Sequence, residues 1–209
     1  RRNHDEYLKT HGSRVVVGFI GLPGSGKSTQ SKALFERVSK YCKCSRISIG
    51  QILRDDGDED VIRIMNNGDL VSDELVFKIL EDKFRATGED FIILDGFFRR
   101  ENEAEWLIKN QKRLDIDVQA LVYIKVSDKE ATNRLKARRR EDDEDADIKV
   151  RLEVFNLNQS KVLSNLKKNG IFIFEVDGIG DVDKIAEKIY ANLAEWIYMP
   201  GTLKELGWE

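Results

Sequence analysis

The chain of 209 residues is short of several residue types, and each shortage narrows what it can be. It has two cysteines, Cys42 and Cys44, in a lone C-x-C with no second pair. That supports neither a disulfide framework nor a four-ligand zinc site, and it suits a reduced, cytoplasmic protein. Both histidines, His4 and His11, precede the first strand-like run, so the body of the chain has no imidazole for acid–base chemistry. No apolar run approaches the ~20 residues of a membrane span, so no membrane partner is expected. A formal charge of −3 argues against a general nucleic-acid surface, and any basic site must be local. No secretory signal pattern is visible, and a sequence opening on Arg1 leaves room for a segment ahead of it.

What is present describes a soluble globular protein, with 41% hydrophobic and 35% charged residues in a length suited to one large domain. Five short β-rich apolar runs stand out: Arg14–Ile20, Ser45–Ile49, Phe91–Asp95, Ala120–Val126 and Ile171–Val176. Between them lie helical patterns such as "TQSKALFERVSK" and "DELVFKILEDKF", apolar at i, i+3, i+4 and i+7. Strand–helix alternation with continuously apolar strands predicts an α/β fold with a parallel sheet covered on both faces. Residues 1–13 read as a polar arm, 14–196 as the domain, and 197–209 as a tail. The tail region carries aromatics, Trp196, Tyr198 and Trp208, that could pack on the body or on a neighbour. A monomer is expected, with association through the tail as the alternative.

The stretch from Gly21 to Ser28, "GLPGSGKS", satisfies G-x-x-x-x-G-K-[ST]. Glycines let the backbone turn its N–H groups toward phosphate oxygens, and the following helix adds its positive end. Gly24, Ser25, Gly26 and Thr29 belong to this cradle. Lys27 is placed to reach the β- and γ-phosphates, and the Ser28 hydroxyl to ligand Mg²⁺. By chance the pattern arises in roughly one chain in a hundred of this length. Here it also sits between a strand and a helix, the context it requires.

A phosphate cradle does not name a reaction. A GTPase should carry N-K-x-D for guanine, and no such tetrapeptide occurs. Two features point instead to kinases of small acceptors. The run ending in Asp95 puts a carboxylate at the carboxyl edge of the sheet, where it can orient Mg²⁺ directly or through water, or merely cap the next helix. Arg134 and Arg138 share one helix face at i, i+4, with Arg140 and Arg151 beyond. Phosphoryl transfer needs cations more than a base. The alternative for the arginines is a solvated basic face answered by "EDDEDAD" (Glu141–Asp147).

In order and near-spacing, "GLPGSGKSTQ", "ISIGQILR", "MNNGDLVSDELV", "LDGFFRRENEAEWL" and "RLKARRREDDEDADIKVRL" resemble the adenylate kinases and related nucleoside monophosphate kinases, from about Val15 to Leu193. The resemblance implies a P-loop fold: a five-stranded parallel sheet with the P-loop on the central strand. It also implies a monophosphate-binding helical insert over about 49–72 and a short lid over about 138–146. The implied reaction is reversible transfer of the ATP γ-phosphoryl group to a nucleoside monophosphate, with Mg²⁺. Residue by residue, Arg54 would contact the acceptor phosphate and Arg99 would be its second clamp, beside Gly96. The backbone of Asp69, Leu70 and Val71 would border the acceptor base. Arg134 and Arg138 would lie against ATP, Arg140 and Arg151 against the transferring phosphoryl. Asp142 and Asp143 resemble lid carboxylates, and Gly180 the turn beside the ATP adenine.

Departures from the family pattern concentrate on the base. Ile49 replaces Thr and Glu103 replaces Gln, both where the family reads the acceptor base, while Gln51 replaces Asp and Phe98 replaces Pro. A carboxylate at 103 meets the adenine N6 amino group but not the N1 lone pair, and takes guanine N1–H and N2–H together. AMP is therefore the expected acceptor by family, giving two ADP, with weakened discrimination against GMP. Kinases of GMP, CMP or UMP, a P-loop kinase of another small acceptor, and a non-catalytic nucleotide-binding module remain the alternatives.

Overall fold

The computed structural model describes residues 14–67, 69–86, 88–138, 145–197 and 199. Strand β1 (Arg14–Gly21) runs into helix α1 (Lys27–Val38), then β2 (Cys44–Ser48) and two short helices, α2 (Ile49–Asp56) and α3 (Glu59–Asn66). Helix α4 (Asp73–Ala86) precedes β3 (Phe91–Asp95), α5 (Glu101–Leu114) and β4 (Ile116–Lys125). Helices α6 (Asp128–Arg138) and α7 (Asp145–Lys168), β5 (Phe172–Asp177) and α8 (Val182–Trp196) complete the described elements.

The strands form one parallel sheet in the order β2-β3-β1-β4-β5, with β1 at its centre. Alternate residues of β1 feed two cores. Val16 and Ile20 pack with Leu94, Leu121 and residues of α4, α5 and α7, while Val15, Val17 and Phe19 pack with Ile93, Val122 and residues of α1 and α8. Burial on both faces is why the strands read as unbroken apolar runs, each large side chain contributing about 1.5–3 kcal/mol. The sheet expected from the sequence is therefore present, with the cradle at the end of its central strand.

Among the five strands β3 alone keeps its expected bounds: β1 runs one residue further, to Gly21, and β2 is Cys44–Ser48 rather than Ser45–Ile49. β4 starts at Ile116, not Ala120, because "IDVQ" alternates buried Ile116 and Val118 with half-buried polar residues rather than running apolar. Pairing with β1 slips there, Val16 opposing Val118 and Val17 opposing Ala120, so Gln119 is bulged. β5 is displaced one residue toward the C-terminus of its apolar run. Gly18 of β1 has a steric reason: a β-carbon there would lie 2.3 Å from Phe98 Cε2 and 2.8 Å from Leu121 Cδ1. Phe98, one of the departures from the family, thus occupies the space Gly18 leaves. Helices α3 and α8 start at capping aspartates, Asp58 accepting from Val61 N–H at 2.9 Å and Asp181 from Lys184 N–H at 3.0 Å.

Candidate active site

The carboxyl ends of β1, β3 and β4 open into a cavity of about 510 Å³, within the range of small-ligand sites. Its floor is the cradle, Gly24, Ser25, Gly26, Lys27, Ser28 and Thr29. Gly24 and Gly26 have φ of 82° and 96°, which favour glycine, and a β-carbon on Gly24 would sit 2.6 Å from Ala131 O. Gly26 is the N-cap of α1 and carries no capping side chain, so the helix's first N–H groups are left for a ligand. Ser25 Oγ, buried and without a hydrogen-bond partner, lies in the same loop.

Lys27 folds back over the loop and donates to Gly21 O at 2.7 Å and Leu22 O at 2.8 Å. Burial lowers its pKa to about 7; Asp95 opposes the shift, while Arg99, Arg151 and Arg138 add to it. Lys27 and these three arginines thus share one cavity, and their mutual repulsion is what a polyanion relieves. Burial likewise lowers the pKa of Arg99, with Glu103 opposing.

The predicted acceptor side is assembled from three elements. Gly50 and Arg54 on α2, Asp69 and Leu70 on the strip before α4, Asp95 at the end of β3, and Gly96 and Arg99 after it all line the cavity. A β-carbon on Gly50 would lie 3.4 Å from Arg99 Nη2 and 3.5 Å from Arg54 Nη2, so the two guanidinium groups converge where Gly50 leaves room. On the opposite side stand Arg134, Arg138, Arg151, Gly178 and Gly180. Arg134 Nη2 donates to Gly178 O at 2.9 Å, Nη1 lies 3.5 Å from Ser25 O, and Nε pairs with Glu130 at 2.7 Å, tying the cradle to the turn after β5.

Three predicted contacts do not line the cavity. Ile49 is buried in the core, where an apolar side chain has nothing to offer a base. Val71 is buried too, its carbonyl accepting from Arg100 Nη1 at 3.0 Å. Glu103, expected against the base, is 3% exposed, and its Oε2 accepts from the N–H groups of Arg99 at 2.5 Å and Arg100 at 3.1 Å. It sits at the third position of α5, where an acidic side chain satisfies N–H groups that the helix leaves unpaired. Arg140, Asp142 and Asp143 lie outside the described residues, as do Gly68, Tyr198 and Trp208.

Arg46 was not singled out in the sequence. From β2 its Nη2 donates to Asp95 Oδ2 at 2.6 Å and its Nε to Ser31 Oγ at 2.8 Å. An arginine within a β-rich apolar run is itself a signal, since a charge folded inward needs a partner. Gln30 was also missed: it lines the cavity, 4% exposed, and donates from Nε2 to Val182 O at 3.0 Å.

A glycine-rich cradle on the central strand of a parallel sheet, facing a ring of arginines, defines a P-loop phosphotransferase. A sequence model of the family described as adenylate kinase matches residues 19–171. An adenylate kinase of Prochlorococcus marinus (strain NATL2A) is 33% identical over 181 residues, covering 84% of this chain and 96% of that protein. One from Synechococcus sp. (strain WH7803) is 32% identical over 182 residues, covering 84% and 97%. UMP-CMP kinase 1 of Oryza sativa subsp. japonica is 30% identical over 203 residues, covering 93% and 80%. The chain belongs to the adenylate kinase family and is a kinase of the nucleoside monophosphate type.

Proposed function

We propose that this protein transfers the γ-phosphoryl group of ATP reversibly to AMP, giving two ADP. The observation that carries the reading is the convergence of Lys27, Arg54, Arg99, Arg138 and Arg151 on one cavity. In the proposed roles, Arg54 and Arg99 clamp the acceptor phosphate and Arg134 and Arg138 hold ATP. Lys27, Arg151 and Arg140 neutralise charge on the transferring group. Attack then needs little base catalysis, because positioning and charge stabilisation carry the reaction.

Mg²⁺ fits the donors present. Among the described residues no group of three His, Cys, Asp or Glu side chains could hold a metal. Ser28 and Asp95 offer two oxygens on the same cavity, the sparse protein share Mg²⁺ takes when phosphates and water complete its shell. Bound there, Mg²⁺ would supply charge neutralisation between the terminal phosphates.

A pyrimidine monophosphate acceptor is the second reading. It is favoured by the 30% identity to a protein named UMP-CMP kinase 1. A coupled assay of ADP formation with AMP, GMP, CMP and UMP offered singly separates the readings. AMP is expected to have the highest kcat/KM; a preference for CMP or UMP supports the second reading, and turnover with none of the four overturns both.

A further inference from the structure

Glu103 carries an acidic group into the interior, and what it holds is informative. Its Oε2 accepts from the backbone N–H groups of two consecutive residues, Arg100 and Arg99, the second shared with Phe97 O at 2.6 Å. Their side chains diverge to opposite tasks. The Arg99 guanidinium lines the cavity and meets Arg54 beside Gly50. The Arg100 guanidinium turns away and pins the strip before α4, donating to Leu70 O at 3.2 Å, Val71 O at 3.0 Å and Asp73 Oδ1 at 2.6 Å. Asn102 reinforces this by donating to the second oxygen of Asp73.

We infer that Glu103 is a positioning residue for the acceptor side, setting the phosphate clamp and the acceptor strip through one shared oxygen, and that it does not read the acceptor base. The inference rests on the kinase reading above. The geometry explains why a carboxyl or carboxamide of this length is needed: the amides of two consecutive residues, whose side chains go to different places, are held by one atom, which must reach both. Burial keeps water from competing for that atom. Burial also raises the Glu103 pKa to about 7, opposed first by the Arg99 amide and then by the Arg99 charge, the Arg100 amide and the Arg100 charge. The charged groups facing it are Arg99 and Arg100.

Two conservative variants separate reach from charge, and base reading from positioning. Glu103→Gln keeps an oxygen at the same reach; Glu103→Asp keeps the charge but withdraws it by one methylene. Acceptor KM, donor KM and kcat are measured for both, with acceptor affinity also taken by calorimetric titration and folding followed by thermal melting. For Glu103→Gln we expect acceptor KM within about threefold of wild type and the same order among AMP, GMP, CMP and UMP. For Glu103→Asp we expect acceptor KM to rise at least about tenfold, the scale of one loosened hydrogen bond to a charged group, with donor KM within about twofold. A reordering of the bases in Glu103→Gln overturns the inference, because the side chain would then contact the base. So does an acceptor KM within twofold in Glu103→Asp, which would leave Glu103 a helix cap only, or an equal rise in donor KM. Wild-type protein that transfers to no monophosphate fails the kinase reading instead, and the titrations still test Glu103.

Discussion

Lys27 offers a test that reaches from burial to binding. Its pKa of about 7 in the ligand-free protein, set mainly by burial, means that about nine-tenths of the molecules carry a neutral amine at pH 8. A bound triphosphate brings several negative charges to the ammonium and restores the protonated form. Binding of ATP alone at pH 8 should therefore take up about nine-tenths of a proton per site. The sign follows: the bound state holds more protons, so ATP affinity falls as pH rises above 7, by up to about tenfold per unit from this group. Working at pH 8 keeps the triphosphate itself fully ionised, and omitting acceptor keeps Glu103 out of the measurement. Titration calorimetry in buffers of different ionisation enthalpy reads the uptake directly. Lys27→Met should abolish it and cut turnover by at least ~10², the scale of one preorganised charge donor, with folding retained. An uptake below about 0.2 proton in wild type, or an equal uptake in Lys27→Met, would refute the reasoning.

Arg46→Ala leaves the Asp95 carboxylate, only 2% exposed, without its ion-pair partner and should cost about 3 kcal/mol in urea denaturation. Asp95→Asn added to it should recover much of that loss. Gly18→Ala forces a methyl group against Phe98 and should cost roughly 1–3 kcal/mol, an amount that Phe98→Leu in the same chain reduces; a neutral Gly18→Ala would show that the contact yields freely. Hydrogen exchange over residues 137–146 should slow when a bisubstrate inhibitor saturates the protein, as closing loops do over bound ligand, and unchanged exchange there would count against a moving lid.

What could be read from sequence was what depends on neighbours in the chain. Eight consecutive residues, Gly21 to Ser28, specify a loop whose glycine conformations and following helix need no distant partner, and that loop appears as expected. Apolar runs long enough to be buried on both faces define the strands, and helical spacing between them dictates a parallel sheet. Where a strand end mixed polar and apolar residues, as at Ile116–Gln119, periodicity lost the boundary.

The site's wiring was decided only by tertiary structure. Arg46 and Asp95 are 49 residues apart, and Arg100 and Leu70 are 30 apart, so no local pattern couples them. The sheet brings β2 beside β3 and thereby sets Arg46 against Asp95. Glu103 shows the difference most plainly. Its motif position suggested a base contact, because a sequence records only which functional groups are available. Burial at the start of α5, beside the amides of Arg99 and Arg100, decides what the carboxylate touches, since a charge removed from water binds the nearest donors that replace it.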